Sequence, residues 1–173
     1  MTAALLALLA GCTVARQDDP AGSYRDTEIP IYSAAVFDQS RFAAQDWQQV
    51  AAFLPGPERL DPARGCGTAT LTFPEPGNAA RASYRLCLSG SLREDAGNVI
   101  WQPGGRFTLP GLDEPIWVLW VDADYRTVLL GTPSGRFGLI LNRGGNLPSD
   151  RLAAAREIFD FNGYDLSKLV LLR

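Results

Sequence analysis

The 173-residue sequence predicts an all-β fold: an eight-stranded up-and-down antiparallel barrel with one C-terminal α-helix packed outside it. Three observations carry that expectation. Short apolar or alternating segments recur at close spacing, separated by turns rich in Gly, Pro, Asn and Asp, which is the pattern of sequential hairpins. A convincing helical period occurs once, near the C-terminus. Finally, Ile116-Trp117-Val118-Leu119-Trp120-Val121 is apolar on both faces, whereas a barrel strand with a wet outer face would alternate. The helix is the simplest cover for that outer face.

The elements follow in order. A helical turn is expected to start near Arg41. A strand from Gln48 to Leu54 ends at Pro55-Gly56-Pro57. Gly67 to Phe73 and Ala82 to Leu88 flank Pro74-Glu75-Pro76-Gly77-Asn78, dense turn chemistry that makes them a hairpin. Folded about its midpoint, this hairpin sets Leu71 opposite Ala82, Ala69 opposite Tyr84 and Gly67 opposite Leu86. The same register sets Cys66 opposite Cys87. Directly opposed residues have Cα atoms about 4.5–5.5 Å apart, a separation that a disulfide can span. Further strands are expected at Asn98 to Gln102, Arg106 to Leu109, Ile116 to Val121, Thr127 to Leu130 and Phe137 to Asn142. Ser149 to Phe161 is the helix, with Ser149 or Asp150 as its cap and Asn162-Gly163 as its stop. Leu169 to Leu172 reads as a final strand.

Composition removes several chemistries. There is no histidine, which excludes Ser-His-Asp and Cys-His catalysis and histidine-ligated zinc together. No metal site and no cofactor are called for. A net charge of −3 argues against a nucleic-acid surface. Asp122 and Asp124 could pass as paired carboxylates, but their place between two strands assigns them to turn bonding. Asp38 reads as a cap, and Ser134 has no evident base in the sequence. No catalytic residue is assigned.

The N-terminus carries a different signal. The run Ala3 to Ala10 is apolar, too short to span a bilayer, and ends in Leu9-Ala10-Gly11-Cys12. That ending resembles a bacterial lipobox, which implies cleavage before Cys12 and lipidation of that residue. Residues 1–11 would be the signal peptide, 12–36 the lipidated cysteine and a tether, and 37–173 the barrel domain. Localisation would be the cell envelope, lipid-anchored to the outer membrane and facing the periplasm. Cys66 and Cys87 then remain as an even pair in an oxidising compartment.

The strand order and three motifs resemble the lipocalin family, and within it the bacterial outer-membrane lipoproteins. Phe37-Asp38-Gln39-Ser40-Arg41-Phe42 followed by Asp46-Trp47 resembles the family's entry segment and its G-x-W motif, with Gln45 in place of the glycine. Val121-Asp122-Ala123-Asp124-Tyr125-Arg126 resembles the T-D-Y turn. Leu139-Ile140-Leu141-Asn142-Arg143 resembles the strand that ends in the family arginine. The tail Gly163-Tyr164-Asp165-Leu166-Ser167-Lys168 also looks like the bacterial members. The resemblance implies a structural role for Trp47, Asp122, Tyr125 and Arg143, with Trp47 plugging the closed end of the barrel and the Arg143 guanidinium against its ring.

Alternation then assigns the interior. Counting from Trp47 as inward brings in Gln49, Ala51 and Phe53. Counting back from Arg143 brings in Leu141, Leu139 and Phe137. The hairpin contributes Ala69, Leu71, Tyr84 and Leu86, and the strand before Asp122 contributes Trp117 and Leu119. The expected ligand-binding set is therefore Phe53, Leu71, Tyr84, Leu86, Trp117, Leu119, Phe137 and Leu139. Such a lining suits a fatty acid, a lysophospholipid or a similar small hydrophobic molecule, bound mainly by area burial. The family resemblance implies lipid storage or transport in the envelope. The competing classes are a structural or adaptor lipoprotein with a filled barrel, and an enzyme on the same barrel.

Overall fold

The computed structural model describes residues 22–55 and 66–172. The expected signal segment and Cys12 lie outside the described residues. Strands β1 (Trp47–Phe53), β2 (Thr70–Thr72), β3 (Arg81–Leu88), β4 (Ser91–Asn98), β5 (Ile100–Gln102), β6 (Arg106–Thr108), β7 (Ile116–Val121), β8 (Thr127–Gly131) and β9 (Gly138–Asn142) form one antiparallel sheet. Its order is β4-β3-β2-β1-β9-β8-β7-β6-β5, and β10 (Leu169–Leu171) adds to β1. Only Val99 separates β4 from β5, at the two edges of this path, so the sheet curls into a nearly closed barrel. β4 and β5 together make one broken stave, and the strands otherwise form the expected eight-stave barrel. Helix α1 (Gln39–Ala43) precedes β1, and α2 (Ser149–Phe161) packs outside.

β4 was not anticipated. Its sequence, SLREDAGN, is polar and mostly exposed, so no apolar alternation marks it. The α1 turn starts two residues before Arg41, because Asp38 caps it: the carboxylate accepts from the backbone N–H groups of Ser40 and Arg41. Those two donors, Arg41 first, hold the Asp38 carboxyl below its usual range. The α2 boundaries match the sequence reading. Its N-cap, however, is Pro148, with no side-chain bond, rather than Ser149 or Asp150.

The β2–β3 hairpin forms in a register two residues away from the midpoint fold. Leu71 faces Tyr84 and Thr70 faces Arg85. A two-residue slip preserves which face each side chain occupies, so Leu71, Tyr84 and Leu86 stay inward. Cys66 and Cys87 still meet, with Cα atoms 5.3 Å apart, because the chain leaves the ladder before β2 and bends at Gly67, whose φ is +39°.

Two apolar layers result. The barrel interior holds Phe42, Trp47, Leu71, Leu86, Phe107, Val118 and Leu130, among others. The layer between the outer wall and α2 holds Ala51, Phe53, Leu119, Leu129, Ile140, Phe159 and Tyr164. Gly131 and Gly138 face each other across β8 and β9, and the Tyr164 ring lies over them. A Cβ at Gly138 would come within 2.8 Å of that ring and of Phe53. This helix layer covers the apolar outer face of β7, as the sequence required.

Residues 22–36, read from sequence as part of a tether, run down the outer wall. Tyr24 and Arg25 are buried. Arg25 donates to the carbonyls of Asn162 (3.0 Å), Pro133 (2.7 Å) and Ile29. It thereby caps the C-terminal end of α2, where a cation suits the helix dipole.

Candidate functional site

Strand directions give the barrel two ends. α1, the β2–β3 turn, the β5–β6 turn and the β7–β8 turn gather at one end. The β3–β4 turn, the β6–β7 loop and the β8–β9 loop gather at the other.

The first end is plugged by aromatic rings. Phe42 sits at the centre, with ring centroids 5.2 Å from Trp47, 5.4 Å from Phe73, 5.8 Å from Phe107 and 6.3 Å from Trp101. Trp47 Nε1 donates to the Phe42 carbonyl at 3.0 Å. Trp47 therefore plugs the barrel as expected, but Arg143 is not its partner. Asn142 turns the chain outward there: it accepts from Thr127 Oγ1 at 2.7 Å and donates to the carbonyls of Gly144 and Asn146. Arg143 is left exposed. The cation over a ring at this end is Arg41, 4.2 Å from the centroid of Tyr125. Tyr125 adopts φ +53°, and its hydroxyl accepts from Asp38 N at 2.6 Å. Asp122 accepts from the N–H groups of Arg126 and Thr127, which makes it a turn residue.

Of the eight expected lining residues, Leu71, Tyr84, Leu86, Phe137 and Leu139 lie in the interior. Phe53, Trp117 and Leu119 do not; they point outward into the α2 layer. A β-bulge causes each error. β1 shifts register against β9 between Gln49 and Ala51, and β7 shifts against β8 between Val118 and Trp120. A bulge adds one residue and inverts the parity beyond it. Ala52 and Leu54 replace Ala51 and Phe53 inside, and Ile116 and Val118 replace Trp117 and Leu119. Phe107, Leu109, Val128, Leu130 and Leu88 complete the lining. Where both faces of a strand are apolar, the sequence holds no parity signal that would have found these residues.

Two polar side chains point inward from β1 and β3, and both are already bonded. Gln49 accepts from Cys87 N at 2.7 Å and donates to Cys87 O at 2.8 Å. Tyr84 donates to Pro110 O at 2.9 Å. Burial, and then the Asp95 carboxylate, pushes the Tyr84 pKa up, so it stays a neutral donor. The inner face of β4 differs. Arg93 pairs with Leu86 and Asp95 with Tyr84, and directly opposed residues share a face. Both are exposed, so the wall on that side is wet and charged. Sequence reasoning missed these groups with the strand that carries them.

At the second end, Arg136 pairs with Glu114 at 2.7 Å and with Asp113, locking the β6–β7 loop to the β8–β9 loop. The guanidinium holds the Asp113 carboxyl below its usual range. Ser134 does have an acidic neighbour: its Oγ donates to Glu114 at 2.7 Å. Glu114 is committed to Arg136, so this group fastens loops and is not a free base. Among the described residues no His, Cys, Asp or Glu cluster suits a metal ion. No described helix is long and apolar enough to cross a membrane.

Insecticyanin from the tobacco hornworm Manduca sexta superposes with a TM-score of 0.58, at 16% identity, covering 87% of this chain and 86% of that one. The fold is the lipocalin fold. The siderocalin Ex-FABP, described as functioning through dual ligand specificities, superposes with a TM-score of 0.50 at 17% identity, over 76% of this chain and 93% of its own. In sequence, residues 105–173 match the family model "Lipocalin-like domain". Temperature-induced lipocalin-1 of Arabidopsis thaliana is 28% identical, covering 71% of this chain and 72% of its own. The family-model match falls on the part of the chain where the lipocalin motifs read most clearly.

Proposed function

We propose that this chain is an envelope lipocalin that binds the aliphatic tail of a small amphiphile, a fatty acid or lysophospholipid, for lipid storage or transport. The observation that carries the reading is the state of the interior. Its side chains are apolar, and the inward polar groups Gln49 and Tyr84 are already bonded to the barrel's own backbone. Away from β4, such a lining offers a ligand area and no polar handle. The aromatic plug fills the closed end, so a tail occupies the half lined by Leu86, Leu130 and Leu139. A polar head then meets the wet inner face of β4. The siderocalin Ex-FABP, which shares the fold, is described as functioning through dual ligand specificities, and a binding role for this chain is in keeping with that, although folds host many functions.

Titration with a fatty acid or lysophospholipid, read by intrinsic tryptophan fluorescence, tests the proposal. Saturable binding is expected in the wild type. Leu86→Trp and Leu139→Trp should abolish it, at about 1–3 kcal/mol of overpacking strain. Variants that fold and bind like the wild type would place the ligand elsewhere. Absence of any saturable binding would favour a filled-barrel adaptor.

The lipobox motif supports anchoring through Cys12 at the outer membrane, facing the periplasm. Cys12→Ser should yield a folded protein that leaves the membrane fraction. Retention there of a Cys12→Ser protein with a cleaved N-terminus would reject the lipidation reading.

A further inference from the structure

We infer that the end of the barrel opposite the aromatic plug faces the membrane, seated on it through an apolar patch formed by Ile29, Tyr32 and Phe161. The inference rests on the proposed lipidation of Cys12. Its first support is where the described chain begins. Ser23 Oγ donates to Ser134 O at 3.0 Å, and Tyr24 N donates to Gly135 O at 2.7 Å. Both acceptors lie in the β8–β9 loop, on the rim of that end. Ten residues, Thr13 to Gly22, separate Cys12 from Ser23 at this rim. Fully extended, the eleven steps from Cys12 to Ser23 span at most about 40 Å, which bounds how far the rim can stand from the lipid.

The second support is independent. Ile29, Tyr32 and Phe161 are 38%, 53% and 63% exposed. Tyr32 and Phe161 pack together with ring centroids 5.5 Å apart. The patch belongs to the half of the molecule opposite the plug. Tyr32 N donates to Asn162 Oδ1, the Asn162 carbonyl accepts from Arg25, and the same guanidinium reaches Pro133 in the rim loop. Contiguous exposed apolar groups mark contact sites, and Tyr suits the boundary between water and lipid. Asp26, Glu28 and Asp160 around the patch are exposed, which disfavours an anionic surface. The fitting partner is a zwitterionic lipid surface. The end opposite the plug then faces the source of the proposed amphiphile.

The test couples the Cys12 thiol of the full chain to maleimide-lipid in phosphatidylcholine vesicles, so that attachment does not depend on cellular lipidation. Tyr32→Trp and Phe161→Trp introduce emitters in the patch, and Ala123→Trp introduces one at the closed end. Replacing ordinary phosphatidylcholine by its brominated-chain form should cause loss of the emission added at 32 and 161, and none at 123. Quenching at 123 equal to or greater than that at 32 and 161 overturns the inference. So does an unquenched patch, including one covered by a second copy, which sedimentation of the uncoupled chain would reveal as a dimer. The mass of the N-terminal peptide from cell membranes tests lipidation separately. An unmodified Cys12 there would reject the anchoring reading whatever the vesicles show.

Discussion

Phe42→Ala is expected to destabilise the barrel by about 3–5 kcal/mol, the range for a large buried aromatic whose site cannot collapse. Phe42 is fully buried. Its ring neighbours Trp47, Phe73, Trp101 and Phe107 come from separate segments of the barrel wall. Each is fixed by its own strand or turn; Trp101 Nε1, for example, is tied to Ala79 O at 2.7 Å. The neighbours therefore cannot move together to fill the void. The backbone carbonyl that receives the Trp47 indole survives the substitution, so the change reports packing and not a lost hydrogen bond. Urea unfolding measures it, with Phe161→Ala as the exposed control, expected within about 0.5 kcal/mol of wild type. A Phe42→Ala cost no larger than the control's would show that the closed end is not a packed plug.

The plug also shows what the sequence could and could not reveal. Trp47 was legible as the plug through the resemblance of Asp46-Trp47, and of the segment before it, to the lipocalin entry motif. Its partner was not. The arginine at the end of β9 points to solvent because Asn142 spends its amide on the following turn, and that depends on three carbonyls whose positions only the fold supplies. The boundaries of α2 were legible because a single helical period runs from the capping types Ser149 and Asp150 to the stop at Asn162-Gly163, although the structure puts the N-cap at Pro148. The interior was half legible. Leu71, Tyr84, Leu86, Phe137 and Leu139 lie on strands where alternation runs without a break. Phe53, Trp117 and Leu119 lie on strands whose bulges invert the count. β4 was invisible for the opposite reason: Leu92 is its one large apolar residue, so neither of its faces reads as a core face.

Removing the Cys66–Cys87 disulfide, by Cys66→Ala with Cys87→Ala, should cost about 3 kcal/mol through the unfolded chain, which the 21-residue separation constrains. The site adds a native-state argument. β2 is only three residues long, so its ladder with β1 and β3 lies near the closed end; beyond Thr70 the Ala69 carbonyl still accepts from Gln49 N at 2.8 Å, and past that bond a gap opens between β1 and β3. In that gap the Gln49 amide takes the place of a strand, bonding both the N–H and the carbonyl of Cys87. The disulfide fastens the same residue from the other side. Two cross-links on one residue are not independent, so Gln49→Ala and the cysteine replacements should show a coupling energy above about 0.5 kcal/mol in a double-mutant cycle. Loss of Gln49 alone leaves two buried backbone groups unpaired, at about 1–3 kcal/mol each. Urea unfolding of all four proteins measures the cycle. Strict additivity would mean that the two links stabilise separate parts of the wall, and an unchanged midpoint in the cysteine-free protein would mean that the bridge contributes nothing to stability.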